Sequence, residues 1–351
     1  MEVGLAALLV AAALLGLARD RTVWTAVAGA LAALARPEAL LLVPFLLLAR
    51  PLTWHRVAVF AVVTVAVLAP AAAFSWATVG TLVPTTATAK VEGGLIGWLG
   101  GVNEPAALTW WARPRAFTTE WVLWLVQTHW LLPWAALAAF VTACVRRCRV
   151  VTIVSVALVA HPIGMALLAP YRGPAFQEGR YSIHLLPLVI VLCAVALGGA
   201  GLRTRRVAIA VFLALAPLAL PAAAERYAWG VQNINAMQVH LGRWISDHTP
   251  RRATLAVNDI GAIAFFSRRE VIDLMGLITP EILPSRREGE AGVMEFIAAR
   301  CPDFVVIFPT WFPRLAARHD VFVPIYRVRL QRVEVSGGVE MVVYRLARCA
   351  V

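Results

Sequence analysis

Three short stretches put ionisable side chains beside long apolar runs. The first is Arg36-Pro37-Glu38, set between TVWTAVAGALAALA and ALLLVPFLLLA. An arginine fork suits a phosphate, and the nearby carboxylate could orient that fork or bind a hydroxyl. A mutual ion pair closing a helical hairpin is the plainer role for the same two residues. The second stretch is VPTTATAKVEGG, residues 83–94, which holds the only lysine of the chain. Lys90 is a mobile point charge able to meet a phosphate, with Thr85, Thr86 and Thr88 as extra donors. A snorkelling interfacial lysine is the alternative. The third is GRYSIHLLPL, where Arg180 and Tyr181 open an apolar run and His184 follows about one helical turn later. His184 is either a hydrogen-bonded packing residue or a base. Ionisable groups held inside a membrane bundle are costly, so each marks a site by default.

The elements that would position these residues follow from composition. Of 351 residues, 60% are hydrophobic and only 15% charged, with mean hydropathy +0.75. Soluble domains are about half apolar and a quarter charged, so the chain reads as a polytopic α-helical membrane bundle. Spans are expected near 3–18, 22–35, 39–49, 56–79, 119–144, 150–169, 181–201 and 207–224, about eight in all. The net charge of +12 does not point to nucleic acid. Arg19 and Arg21, Arg50 and Arg56, Arg146 to Arg149, and Arg203 to Arg206 fall in alternate short loops, which is the positive-inside pattern. No basic face carries the aromatics that a nucleic-acid patch needs.

The runs on either side of Arg36-Pro37-Glu38 are each short of the roughly 20 residues a straight span requires. One kinked helix would put Arg19/Arg21 and Arg50/Arg56 on opposite sides. A hairpin puts all four on one side, and Pro37 disfavours helix at Arg36. The hairpin is therefore expected, with its turn recessed in protein or a wet cavity. Alternation then assigns the loops 80–118 and 170–180, and everything after Ala224, to the outer face. It also puts Met1 outside, so the first helix reads as an interior helix.

The transmembrane domain is thus expected over 1–224 and an exported α/β domain over 225–351. In the latter, short β-rich runs (TLAV, EVIDL, DFVVIFP, VFVPIYRVRL, VEMVVYRL) alternate with helix-like DIGAIAFF and EAGVMEFIAAR. Asp259 is placed to cap the DIGAIAFF helix. The five cysteines form no CxxC pair. Cys301 and Cys349 are either a disulfide in an oxidising compartment or two free thiols. No metal-ligand set is legible and no cofactor is evident. A divalent metal is compatible with phosphate chemistry without being readable.

The ordered set MEVGL, ARPEALLL, GTLVPTTATAK, GRYSIHLLPL, VNDIGAIAFFSRREVIDLMGLITPEI and DFVVIFPTWFP resembles the large bacterial membrane glycosyltransferases of the GT-C class. That class includes protein mannosyltransferases, aminoarabinose transferases and mycobacterial arabinofuranosyltransferases. The resemblance covers nearly the whole chain and implies sugar transfer from a polyprenyl-phosphate donor on the outer face of the bacterial cytoplasmic membrane. The acceptor would be a cell-envelope glycan, lipid or protein. It implies that Arg36, Glu38, Thr85, Thr86, Lys90, Arg180 and Tyr181 serve the donor phosphate and sugar. Thr85 stands where the class often has asparagine. The catalytic acidic residue of the class lies in a first outer loop, and this sequence begins at what resembles the fourth span. The catalytic residue is therefore unknown here, and the expectation is a chain lacking three N-terminal spans. A transporter or flippase of an anionic lipid-linked substrate, or a non-catalytic scaffold, is the alternative reading.

Overall fold

The computed structural model describes residues 2–82, 89, 93–99, 101, 104–168 and 181–349. They divide into two compact units, one ending at Ala219 and the other taking Leu220–Val351.

The first unit is helical. Its helices are α1 (Glu2–Ala18), α2 (Thr22–Ala35), α3 (Val43–Leu48), α4 (Trp54–Val79), α5 (Gly94–Leu99), α6 (Arg113–Thr128), α7 (Leu131–Val145), α8 (Arg149–Leu168), α9 (Leu186–Gly199) and α10 (Leu202–Leu215). Small residues set the closest approaches. A side chain at Gly16 of α1 would collide with Trp24 and Thr25 of α2. Gly29 of α2 lies against Leu46 and Val43 of α3. Residues 29 and 46 would be roughly 25 Å apart in one straight helix, so the chain reverses between them. The reversal is at Arg36, whose backbone is extended (φ −145°, ψ 114°), followed by a 3₁₀ turn over Pro37–Leu42. This is the hairpin that the loop arginines and Pro37 predict.

Helix α4 shows clear start and stop signals. Thr53 caps its N-terminus through a hydrogen bond accepted from the Arg56 N–H, and Gly80 ends it in a left-handed conformation (φ 71°). Its Val62, Val65, Phe74 and Trp76 are exposed. An apolar helix with so little of its surface covered requires an apolar medium.

Several of the loop arginines bond helix-end carbonyls. Arg56 is buried and donates to the carbonyls of Leu46 and Leu47 and to the Thr22 hydroxyl. Arg50 donates to the carbonyl of Leu17, and Arg149 to that of Leu48. The last carbonyls of a helix have no intrahelical donor, and these guanidinium groups supply one.

The span count differs from expectation. Three helices among the described residues are long and apolar enough to cross a membrane: Trp54–Val79, Arg149–Leu168 and Leu202–His248. A fourth results if the bent pair Leu108–Thr128 and Leu131–Val145 counts as one span, so eight are not reached. Helices α1 and α2, with 17 and 14 residues, rise about 25 and 21 Å, short of a hydrocarbon core of about 30 Å. The expected single helix over 119–144 is broken at His129 by a bend of 113°. Pro133 explains the break, since it cannot donate to the carbonyl four residues earlier and its ring crowds that group. His129 turns extended, accepts the Leu131 N–H at Nδ1 and stacks on the Phe212 ring at 4.1 Å.

The second unit holds α11 (Leu220–Ile234), α12 (His240–His248), α13 (Ile260–Ser267), α14 (Leu283–Arg287), α15 (Glu290–Arg300) and α16 (Pro313–Ala317) around one sheet. The strands are β1 (Thr254–Val257), β2 (Glu270–Asp273), β3 (Phe304–Ile307), β4 (Phe322–Arg329) and β5 (Glu340–Leu346), in the order β2-β1-β3-β5-β4. Strands β1, β2 and β3 are parallel, and β5 runs antiparallel to both β3 and β4. β3 is buried along its whole length, as a central parallel strand covered on both faces must be. One face packs Leu255, Val257 and Val306 with Met237, Leu241 and Ile263. The other packs Ala256, Val305 and Ile307 with Val293, Ile297 and Leu315. Cys301 and Cys349 form a disulfide that ties the end of α15 to the chain beyond β5.

Asp259 does not cap α13 through its side chain. Its carboxylate instead accepts a hydrogen bond from the buried Gln238 amide at 2.8 Å. Asp273 closes a different turn. Fully buried at the end of β2, it accepts from the backbone N–H groups of Met275, Leu277 and Ile278 and so fixes residues 274–279. Asp273→Ala strands three donors and is expected to cost about 2–3 kcal/mol. The midpoint of urea unfolding of the second unit, followed in the intact chain, should fall accordingly. An unchanged midpoint would remove the carboxylate from this role.

Candidate functional site

The hairpin turn carries its charges inward. Arg36 and Glu38 flank Pro37, whose fixed φ starts the 3₁₀ turn, and the extended Arg36 backbone directs the side chain into the bundle. Arg36 is 4% exposed. Its Nη2 donates to Glu38 Oε1 at 3.0 Å, its Nη1 lies 3.5 Å from Glu2 Oε1, and its guanidinium carbon sits 5.6 Å from the centre of the Tyr181 ring. The ring offers the cation an electron-rich face. Among the described residues, Arg36 Nε and Nη1 and Glu38 Oε2 have no hydrogen-bond partner.

Two histidines hold this turn from behind. His161 Nε2 is 3.0 Å from the Glu38 carbonyl oxygen and 3.2 Å from His184 Nε2, and both rings are fully buried. The carbonyl can only accept, so His161 carries its proton on Nε2. His184 Nε2 then accepts, and the His184 proton sits on Nδ1. Neither Nδ1 has a partner among the described residues, and neither does the hydroxyl of the buried Ser182. Around the Arg36 guanidinium the bundle thus gathers two carboxylates, two imidazoles and a phenol ring.

Of the residues singled out in the sequence, Arg36, Glu38 and Tyr181 are brought together. Thr85, Thr86, Lys90 and Arg180 lie outside the described residues. His184 touches the site through His161. Reading the sequence missed His161 and Ser182. The signal for His161 was present, since AHPIG puts an ionisable residue inside an apolar run. Ser182 carried none beyond its place next to Tyr181.

A second polar knot lies in the stretch before α6. Glu104 accepts from the Gly94 N–H at 3.1 Å, from the Thr109 hydroxyl at 3.3 Å and from both terminal nitrogens of Arg113. Gly93 packs so closely on the carboxylate that a side chain there would overlap it. The Arg113 guanidinium holds the Glu104 carboxyl below its usual range. Among the described residues, no group of three or more histidine, cysteine, aspartate or glutamate side chains could hold a metal ion.

A family model described as a domain of unknown function (DUF8728) matches residues 232–344, within the sheet-containing unit. No curated protein and no solved structure matches the chain.

The Glu104 clamp makes a signed prediction. Because its folded-state pKa is depressed, its stabilisation is present above the ordinary carboxylate pKa and is lost as pH falls through the folded value. Protease cleavage between residues 93 and 113 should rise on acidification below about pH 4. Glu104→Gln should show the raised cleavage already at neutral pH, a loss of about 1–2 kcal/mol. Equal acid sensitivity in the variant would assign the effect to another group.

Proposed function

We propose that the chain is a membrane glycosyltransferase of the GT-C type. It moves a sugar from a polyprenyl-phosphate donor to an acceptor at the outer face of the bacterial cytoplasmic membrane. The observation that carries the reading is Arg36: a buried guanidinium in an apolar bundle with Nε and Nη1 free of hydrogen-bond acceptors among the described residues. Glu38 and Glu2 offset its charge, and a lipid-borne phosphate at the membrane would supply acceptors for the two nitrogens that have none.

In this reading Arg36 neutralises the charge that develops on the departing prenyl phosphate. Glu38 locks the fork through one oxygen and offers Oε2 to a sugar hydroxyl. The Tyr181 ring backs the cation, while His161 and His184 keep the turn in register. Lys90, Arg180, Thr85 and Thr86 join the donor site by resemblance to the class. The Cys301–Cys349 disulfide supports an oxidising compartment, and hence an exported second unit. The residues name no catalytic base.

The test uses the chain in nanodiscs with radiolabelled polyprenyl-phosphate sugars and polyprenyl phosphate itself. Arg36→Lys keeps the charge but loses the fork, and is expected to weaken prenyl-phosphate binding on the order of 10- to 100-fold. Lys90→Ala should cost on the order of 1.5–3 kcal/mol of donor binding. Release of prenyl phosphate only when acceptor is present marks transfer. Movement of intact donor across the bilayer would replace the transferase with a flippase. Wild-type affinity in both variants would end the assignment.

A further inference from the structure

The sheet of the second unit has a switch point. The chain leaves β1 towards α13 and β2, while it leaves β3 towards α16 at the other side. Helix α13 contributes Ile263 to one face of the sheet and α16 contributes Leu315 to the other. The two loops therefore part in opposite directions and leave a crevice beyond the carboxyl ends of β1 and β3. In open sheets with parallel strands, that crevice is where ligands bind.

Asn258 occupies it. Its backbone N–H bonds the Val306 carbonyl, which sets the residue at the seam between β1 and β3. It is 4% exposed, and among the described residues neither atom of its carboxamide has a hydrogen-bond partner. Such a group costs about 1–3 kcal/mol when left unpaired. The next residue, Asp259, is bonded to Gln238, which is itself buried, its Oε1 also without a partner among the described residues. Gln238 Nε2 also approaches the Ser336 hydroxyl at 3.5 Å.

Ser336 belongs to the β4–β5 connection, which folds over the same end of the sheet. Gly337 and Gly338 lie directly on Phe308, at a separation that leaves no space for a side chain, and the Trp311 indole donates to the Gly337 carbonyl. Asn233 pins the start of this strap by donating to the Arg332 carbonyl and accepting from the Glu334 N–H. Trp311 is 45% exposed beside it.

From these groups we infer that the crevice at the ends of β1 and β3, under the 331–339 strap, binds a neutral polyhydroxylated ligand, a saccharide. The residues there (238, 258–260, 308–312 and 336–338) include no arginine, lysine or histidine, which disfavours an anion. The Asn258 carboxamide offers a donor and an acceptor, which is what a hydroxyl needs, since it donates and accepts at once, and Gln238 Oε1 adds a further acceptor. A carboxylate adds an acceptor and Ser336 a hydroxyl. The half-exposed indole gives an apolar face of the kind found where a ligand is part apolar and part wet. The inference does not depend on Arg36 or on lipid-linked transfer.

The test is saturation-transfer NMR on the whole chain in nanodiscs, with methyl hexosides and methyl pentosides as probes and inorganic phosphate as the charged control. Saccharide signal is expected and phosphate signal is not. Asn258→Leu keeps the branched shape, removes both unpartnered atoms, and should weaken binding at least tenfold while the unfolding midpoint stays or rises. Ser336→Ala, a milder change on the strap, should weaken binding several-fold without altering the fold. Arg36→Lys should leave the saccharide signal intact, which separates this site from the donor site. No saccharide signal, phosphate binding alone, or full saccharide binding in Asn258→Leu and Ser336→Ala would each overturn the proposal.

Discussion

A guanidinium cannot lose its proton, so an arginine enclosed by aliphatic side chains must be compensated by its surroundings. Arg36 imposes that demand on the first unit. The turn that carries it requires Pro37 to stop α2 and extend the backbone. It requires Glu38 within reach of Nη2, and Tyr181 brought over the cation from a distant part of the sequence. His161 comes from a further segment and bonds the Glu38 carbonyl, and His184 from another bonds His161. Several segments of the bundle thus meet at one charge.

Arg56 is the internal comparison. It is buried to nearly the same degree, 5% against 4% for Arg36. Each of its three nitrogens has an acceptor: Leu47 for Nε, Leu46 for Nη2 and Thr22 for Nη1. Those acceptors are mainly carbonyls at the end of α3, which need donors in any case. Arg56 is therefore complete as structure. Arg36 has one hydrogen bond of that quality, to Glu38. Burial alone does not distinguish the two residues; the state of their partners does.

What could be read from the sequence divides along the same physical line. The hairpin was legible because Pro37 and the distribution of loop arginines both act locally. The strands of the second unit were legible because β-branched runs alternate with helical ones, and all five occur where the sequence put them. The broken helix at His129 was missed, although Pro133 signals it, because the surrounding hydropathy is unbroken. Asp259 has the sequence context of a cap, but its carboxylate is drawn to Gln238, twenty-one residues earlier. The same holds for His161, whose partner Glu38 is 123 positions away. Long-range pairing of polar groups leaves no periodicity, so it was invisible until the fold was known.

The two candidate sites carry the same energetic mark in different surroundings. Asn258 lies in the core of a sheet and Arg36 in a helical bundle, and each holds buried polar atoms without hydrogen-bond partners among the described residues. A leucine at 258 would keep the branched shape and remove two unpaired atoms at about 1–3 kcal/mol, so stability alone argues against an asparagine there. Asp273 shows the contrast within the second unit, because every backbone donor around its carboxylate is used to shape a turn. A buried polar group whose hydrogen bonds all close on the protein explains itself. One whose hydrogen bonds do not close among the described residues is open to a further partner, and the chemistry of the unfilled atoms sets the kind proposed: an anion for the guanidinium, a hydroxyl for the carboxamide.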